Sequence, residues 1–111
     1  MESTTAVAAL GALAHETRLQ IFRLLVRAGA GGMAVGRIAG ALGVEANGRL
    51  SFHLKELVAA GLAASRQEGR FVYYSTNYAA MNELLRYLTE DCCGGLGCGE
   101  VVDACNPEKC A

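Results

Sequence analysis

Five cysteines crowd the last 20 residues of this 111-residue chain, and the first 91 residues contain none. They are Cys92, Cys93, Cys98, Cys105 and Cys110. Thiolates are soft ligands that select thiophilic ions and disfavour magnesium and calcium. An odd number of thiols also leaves one over if the others pair as disulfides. The cluster therefore predicts a metal or metalloid site, with a reducible disulfide or merely exposed thiols as the alternative.

The spacing of the first three cysteines narrows this chemistry. Cys92 and Cys93 are adjacent, and four residues, three of them glycine, separate them from Cys98. Glycines permit the positive-φ turns that fold the third thiol back towards the pair. Three thiolates suit trigonal-pyramidal arsenic(III) or antimony(III), whereas a fourth from farther along the tail would suit tetrahedral zinc or cadmium. We expect a site of Cys92, Cys93 and Cys98 that takes arsenic(III) or antimony(III), and no organic cofactor.

The distribution of charge also changes near the start of the cysteine cluster. Residues 1–88 carry nine Lys or Arg and six Asp or Glu, a net charge of +3. Residues 89–111 carry one Lys and five acids, a net charge of −4. The near-neutral total therefore hides a basic body that is compatible with nucleic acid.

Length and hydropathy exclude several classes of protein. A chain of this length is expected to form one domain and leaves little room for a large catalytic cleft, so we expect no enzyme. No apolar run reaches 18 residues, which excludes a membrane span. The start, Met1-Glu2-Ser3, has no basic signal region, and we therefore expect a cytoplasmic protein.

Apolar periodicity predicts a mostly α-helical protein with a small β-hairpin, in the order α-α-α-α-β-β-α. In the second helix, Leu19, Phe22 and Val26 are predicted to face the core. Asn47 and Asn77 are candidate N-caps, and Gly43 is a candidate C-cap. The predicted helices span 6–13, 16–26, 35–42 and 49–60 and a stretch after residue 77, and the predicted strands span 62–67 and 71–76.

The third and fourth helices, joined by a glycine-containing turn and followed by a hairpin, predict a winged helix-turn-helix. Its second helix enters the DNA major groove in proteins of this architecture. We expect Arg49, Ser51 and His53 to face base edges and Lys55 to contact phosphate. An ordinary solvated helix face is the alternative, and His53 has the further alternative of supporting the helix pair. Three hairpin residues, Arg66, Gln67 and Arg70, are expected to contact the DNA backbone or minor groove.

Three stretches carry a family resemblance. ALAHETRL at 12–19, LSFHLKEL at 50–57 followed by Ala60-Gly61-Leu62, and RQEGRFVYY at 66–74 occur in fixed order. Together they resemble the opening, recognition helix and wing of the ArsR/SmtB metal-responsive repressors. The resemblance implies a homodimeric winged-helix repressor that releases double-stranded operator DNA when it binds a metal or metalloid.

Two family ligand sites are missing from this sequence. Many arsenic sensors of the family carry Cys-x-Cys at the start of the helix before the recognition helix, but residues 33–38 contain no thiol. Zinc sensors carry His and acidic ligands on the last helix, but residues 78–90 contain no His. The ligands are therefore expected in the tail. Thiol–disulfide redox sensing, or sensing of cadmium, zinc or mercury by the same fold, remains the alternative.

The predicted organisation follows from these assignments. Residues 1–90 form the DNA-binding and dimerisation domain, and residues 91–111 form the acidic Gly/Cys-rich tail. An apolar stripe on the last helix is expected to build the dimer seam together with the first helix. This stripe consists of Met81, Leu84, Leu85 and Leu88.

Overall fold

The computed structural model describes residues 1–91, which form five α-helices and a three-stranded antiparallel sheet. The predicted succession of five helices with a hairpin before the last is confirmed. Helix ends differ from the predicted ones by three residues at most. The elements are α1 (Ser3–Leu13), α2 (Glu16–Ala28), β1 (Met33–Ala34), α3 (Val35–Leu42), α4 (Gly48–Ala59), β2 (Ala63–Glu68), β3 (Phe71–Thr76) and α5 (Tyr78–Thr89).

Strand β1 was not predicted, and it converts the hairpin into a sheet of order β1-β3-β2. Met33 pairs with Tyr74, and Ala34 pairs with Tyr73. The close approach of β1 to β3 depends on Gly32, which has a φ of 75°. A Cβ at this position would collide with the Tyr74 carbonyl oxygen. A strand of two residues is too short to produce a period-2 pattern, so the sequence alone does not reveal it.

The core lies where α2, α3 and α4 pack against the sheet. Its fully buried side chains are Ile21, Leu25, Ile38, Leu54, Leu57 and Leu62. The predicted core position of Leu19 is wrong, because this side chain is 45% exposed. The buried face of α2 instead runs through Ile21, Phe22 and Leu25.

The predicted caps are confirmed. The Asn47 side chain accepts hydrogen bonds from the backbone N–H groups of Arg49 and Leu50, which fixes the start of α4. Asn77 accepts from the backbone N–H of Ala80 at the start of α5. Gly43 ends α3 in the left-handed conformation, with a φ of 69°.

Helix α5 closes the domain against its own core. Leu84 is 5% exposed within the single chain, so its predicted place in a dimer seam is wrong. Leu88 is 54% exposed, and on α1 Val7 and Leu10 are 65% and 41% exposed. The large apolar side chains of α1 and α5 that stay exposed are therefore Val7, Leu10 and Leu88, and we call them together the α1/α5 patch. No helix in residues 1–91 has the length and hydropathy of a membrane span.

Candidate nucleic-acid interface

Helices α3 and α4 form the helix-turn-helix, with residues 43–47 as the turn. Gly43 reverses the chain and Asn47 caps α4, so both ends of the turn are set by local chemistry. The buried side of α4 carries Leu50, Leu54 and Leu57. Packing on this one side fixes the rotation of α4 and determines which of its residues face outward.

The outward side of α4 carries most of the predicted DNA-binding residues. Arg49 and Lys55 are exposed, whereas Ser51 and His53 are half-buried at its two edges. Neither Arg49 nor Lys55 forms a salt bridge with any residue in the range 1–91. Both cations are therefore available to an anionic partner.

His53 is engaged with the start of α2. Its Nδ1 accepts a hydrogen bond from Nε of Arg18 at 3.2 Å, and its ring centroid lies 4.7 Å from that of His15. Nδ1 of His15 in turn accepts from the backbone N–H of Thr17, which caps α2. The contacts match the interpretation that His53 supports the helix pair, and a role in contacting DNA stays a prediction.

Electrostatics favour a neutral His53. Burial lowers the pKa of His53 below its usual 6.5, and electrostatic interactions with His15, Arg18 and Arg49 lower it further. Glu56 acts in the opposite direction. An imidazole whose Nδ1 accepts a hydrogen bond carries its proton on Nε2 when neutral.

The hairpin of β2 and β3 forms the wing. Nε of Arg66 lies 3.0 Å from Oε1 of Glu68, and the Arg66 guanidinium lies 5.0 Å from the Tyr73 ring centroid. Gln67 donates to the Gly69 carbonyl at 3.4 Å. Arg70 has no salt bridge among residues 1–91 and is exposed beside the turn. Of the three predicted wing contacts, Arg70 is therefore the one with an uncommitted charge.

Two residues near the interface were not assigned a role from the sequence. Arg18 reaches both His53 and Phe52, whose ring centroid lies 5.5 Å from the guanidinium carbon. The signal was the spacing of His15, the N-cap of α2, and Arg18 in the first turn of α2, three residues apart. Phe52 is 53% exposed although it is aromatic. Its position two residues from both Leu50 and Leu54 already placed it opposite the buried side of α4.

The predicted metal ligands Cys92, Cys93 and Cys98 lie outside the described residues. Residues 1–91 contain no group of three or more His, Cys, Asp or Glu side chains arranged to hold a metal ion. The described part of the chain thus offers an exposed cationic surface on α4 and no metal-binding group of its own.

Comparisons with known proteins agree on the architecture. A helix-turn-helix domain family matches residues 13–66, which span α2, α3, α4 and most of β2. No curated protein matches the sequence significantly.

Several solved structures are similar to this chain in both sequence and fold. An ArsR-like transcriptional regulator from Rhodococcus sp. RHA1 is 29% identical, with a TM-score of 0.66 over 77% of this chain and 76% of that one. HlyU from Vibrio cholerae is 35% identical, with a TM-score of 0.62 over 79% of this chain and 97% of that one. A homodimeric winged helix-turn-helix domain from Mycobacterium bovis, described as a possible ArsR-family regulator, is 31% identical. Its TM-score is 0.62 over 79% of this chain and 81% of that one.

Proposed function

This chain belongs to the ArsR family of winged helix-turn-helix transcriptional regulators, and we propose that it is a homodimeric repressor induced by arsenic(III) or antimony(III). In this proposal the dimer binds double-stranded operator DNA through α4 and the wing. The inducer binds the thiolates of Cys92, Cys93 and Cys98 and causes release of the DNA.

The observation that carries DNA binding is the outward side of α4. Arg49 and Lys55 are exposed there without a carboxylate partner in residues 1–91, on a helix whose rotation is fixed by its buried leucines. In a helix-turn-helix this surface enters the major groove. Arg49 stands in the first turn, where side chains reach base edges, and Lys55 stands one to two turns later, where it suits phosphate.

Homodimerisation is supported by the α1/α5 patch. Val7, Leu10 and Leu88 are large apolar side chains left open to solvent on helices that pack against one another. The Mycobacterium bovis relative is itself homodimeric. Dimeric helix-turn-helix proteins hold their two recognition helices about 34 Å apart, one turn of DNA, and a dimer formed at this patch has to provide that spacing between its two α4 helices.

The inducer is proposed from donor chemistry. Since residues 1–91 contain no metal-binding group and no cysteine, thiolate ligands have to come from the tail. Three thiolates match the coordination that arsenic(III) and antimony(III) prefer, and an all-sulfur set is soft. Only Glu90 and Asp91 separate Cys92 from the end of α5, so ligation at the tail acts close to the end of that helix.

The coupling between the two sites runs through α5. Its Leu84 packs into the core, and its Leu88 belongs to the α1/α5 patch. A perturbation at the end of α5 therefore reaches the proposed dimer seam and the spacing of the two α4 helices. Coupling of about 1–3 kcal/mol, typical of allosteric proteins, corresponds to a 5–150-fold loss of DNA affinity.

A mobility-shift titration tests the proposal. The full-length reduced protein, bound to a duplex selected from a random library, is titrated with arsenite, antimonite, cadmium, zinc and mercury(II), and separately with a thiol oxidant. We expect arsenite and antimonite to release the DNA at the lowest concentrations. Release only by the oxidant, reversed by a thiol reductant, would instead identify a redox switch, and release only by cadmium, zinc or mercury would identify another metal sensor.

A further inference from the structure

Phe52 has the position and the exposure of a base-reading residue. It lies in the second turn of α4, and 53% of its surface is open to solvent. At about 100° per residue, it points about 160° away from both Leu50 and Leu54. These two leucines are 3% and 0% exposed, so Phe52 marks the centre of the outward side of α4.

Among residues 1–91, two side chains on one side of the Phe52 ring contact it. The Arg18 guanidinium carbon lies 5.5 Å from the Phe52 ring centroid, within the range of a cation–π contact. Arg18 is itself fixed by its hydrogen bond to His53, whose ring centroid lies 5.9 Å from that of Phe52. The ring is thus oriented by two neighbours on the protein side and leaves its remaining surface to a partner.

A phenyl ring cannot read the hydrogen-bonding groups of base edges. The apolar feature that the major groove offers is the 5-methyl group of thymine, which phenylalanine is known to contact. Arg49, Ser51 and Lys55 supply hydrogen bonds and charge around Phe52 but no large apolar surface. On the premise of the proposed function, that α4 enters the major groove, we infer that Phe52 selects thymine in each half-site by contact with its 5-methyl group.

Replacing thymine by uracil in the DNA isolates this contact, because deoxyuridine lacks only the methyl group and pairs identically. A preferred duplex is first selected from a random library with the full-length protein. Each thymine is then replaced in turn by deoxyuridine, and affinity is measured by fluorescence anisotropy. We expect about threefold to fivefold weaker binding at one thymine, or two adjacent ones, in each half-site, as expected for the burial of one methyl-sized apolar group.

Two variants of Phe52 and one control complete the test. Phe52→Ala should bind the thymine and uracil duplexes equally well, whereas Phe52→Leu should retain part of the discrimination. Leu19→Ala removes an apolar side chain of α2 that is 45% exposed and lies outside α4 and the wing, and this variant should retain the full methyl effect. Circular dichroism and sedimentation confirm that each variant keeps its fold and oligomeric state.

The possible results distinguish failure of the thymine contact by Phe52 from failure of the proposed DNA-binding function. Equal binding of the wild-type protein to every uracil-substituted duplex would overturn the inference and leave DNA recognition intact. The inference would also fail if Phe52→Ala kept the methyl discrimination, or if it changed only the oligomeric state. Failure of the wild-type protein to select any duplex from the library would overturn the proposed function itself.

Discussion

Arg18 and His53 join the start of α2 to the recognition helix α4 through one hydrogen bond, from Nε of Arg18 to Nδ1 of His53 at 3.2 Å. The acceptor nitrogen can take part only while it is unprotonated. Arg18 places positive charge beside the imidazole, and the His15 ring lies 4.7 Å away between centroids at an interplanar angle of 50°. The junction between the two helices therefore depends on a neutral His53.

Because the junction needs a neutral His53, the folded chain is predicted to lose stability at acidic pH. Burial is the main cause that lowers the pKa of His53 in the folded chain, while the unfolded chain keeps the usual 6.5. The unfolded state then binds more protons, so stability is complete above about pH 6.5 and decreases as the pH falls through the folded-state pKa. Urea unfolding between pH 8 and pH 5 should show this loss in the wild-type protein and a smaller loss in His53→Gln.

His15→Asn is the matched control for that measurement. Asparagine preserves an N-cap acceptor for α2. Since burial rather than His15 is the main cause of the shift, this variant should keep most of the acid-dependent loss. An identical decline in the wild-type protein and in His53→Gln would assign the acid sensitivity to other groups.

Gly32 is predicted to be the glycine on which the sheet depends. Its φ of 75° is unfavourable for other residues, and an added Cβ would meet the Tyr74 carbonyl. Gly32→Ala should therefore destabilise the fold by about 1–3 kcal/mol. Gly31→Ala is the control, because nothing lies within 4 Å of a Cβ there, and its effect should stay within about 0.5 kcal/mol. Equal losses in the two variants, measured by urea unfolding, would contradict this role of Gly32.

The same region shows what the sequence can and cannot predict about the fold. Asn47, Asn77 and Gly43 were predictable as caps because a cap is local chemistry at a fixed offset from its helix. The pairing of β1 with β3 joins residues 41 and 39 positions apart and involves only two residues of each strand, so no periodic signal marks it. Leu19 fits a helical stripe as well as Ile21 does, and only the packing of α2 against its neighbours decides which one is buried.

Lys55 is predicted to contact phosphate. Lys55→Ala should weaken binding to all DNA sequences and reduce the slope of log K against log salt by about one unit, because one fewer counterion is released. Arg86→Ala removes one positive charge from α5 and should leave the slope unchanged. A slope that changes equally in both variants would reflect net charge and not a contact of Lys55.

The α1/α5 patch is predicted to be the dimer seam. Val7 and Leu88 are exposed in the single chain, so replacing both by Glu should preserve the helices and produce a monomer in analytical ultracentrifugation. DNA affinity should fall with the loss of the second recognition helix. Leu19→Glu places the same charge on a residue of α2 that is 45% exposed, and this variant should remain a dimer. A Val7→Glu, Leu88→Glu protein that still sediments as a dimer would place the seam elsewhere.

The sequence predicts those residues of the candidate interface whose exposure follows from residue type and position on the helix. Arg49 and Lys55 follow from the period of α4, since both fall off its buried side. The engagement of His53 by Arg18 crosses 35 residues of sequence, and that of Arg66 by Glu68 competes with DNA contact within the wing. Such pairings depend on side-chain geometry between elements, which hydropathy and spacing do not encode.

The thiols of Cys92, Cys93 and Cys98 are predicted to be jointly required for induction. Each supplies one of three bonds to arsenic(III), so Ser at any one position should abolish most of the arsenite-induced release of DNA. DNA affinity without arsenite should be unchanged, because none of the three lies in the helix-turn-helix or the wing.

Cys105→Ser and Cys110→Ser are the matched controls and should respond like the wild-type protein. A normal response of Cys98→Ser together with loss in Cys105→Ser would assign the third ligand to Cys105, and normal responses in all five variants would remove the tail from the sensor.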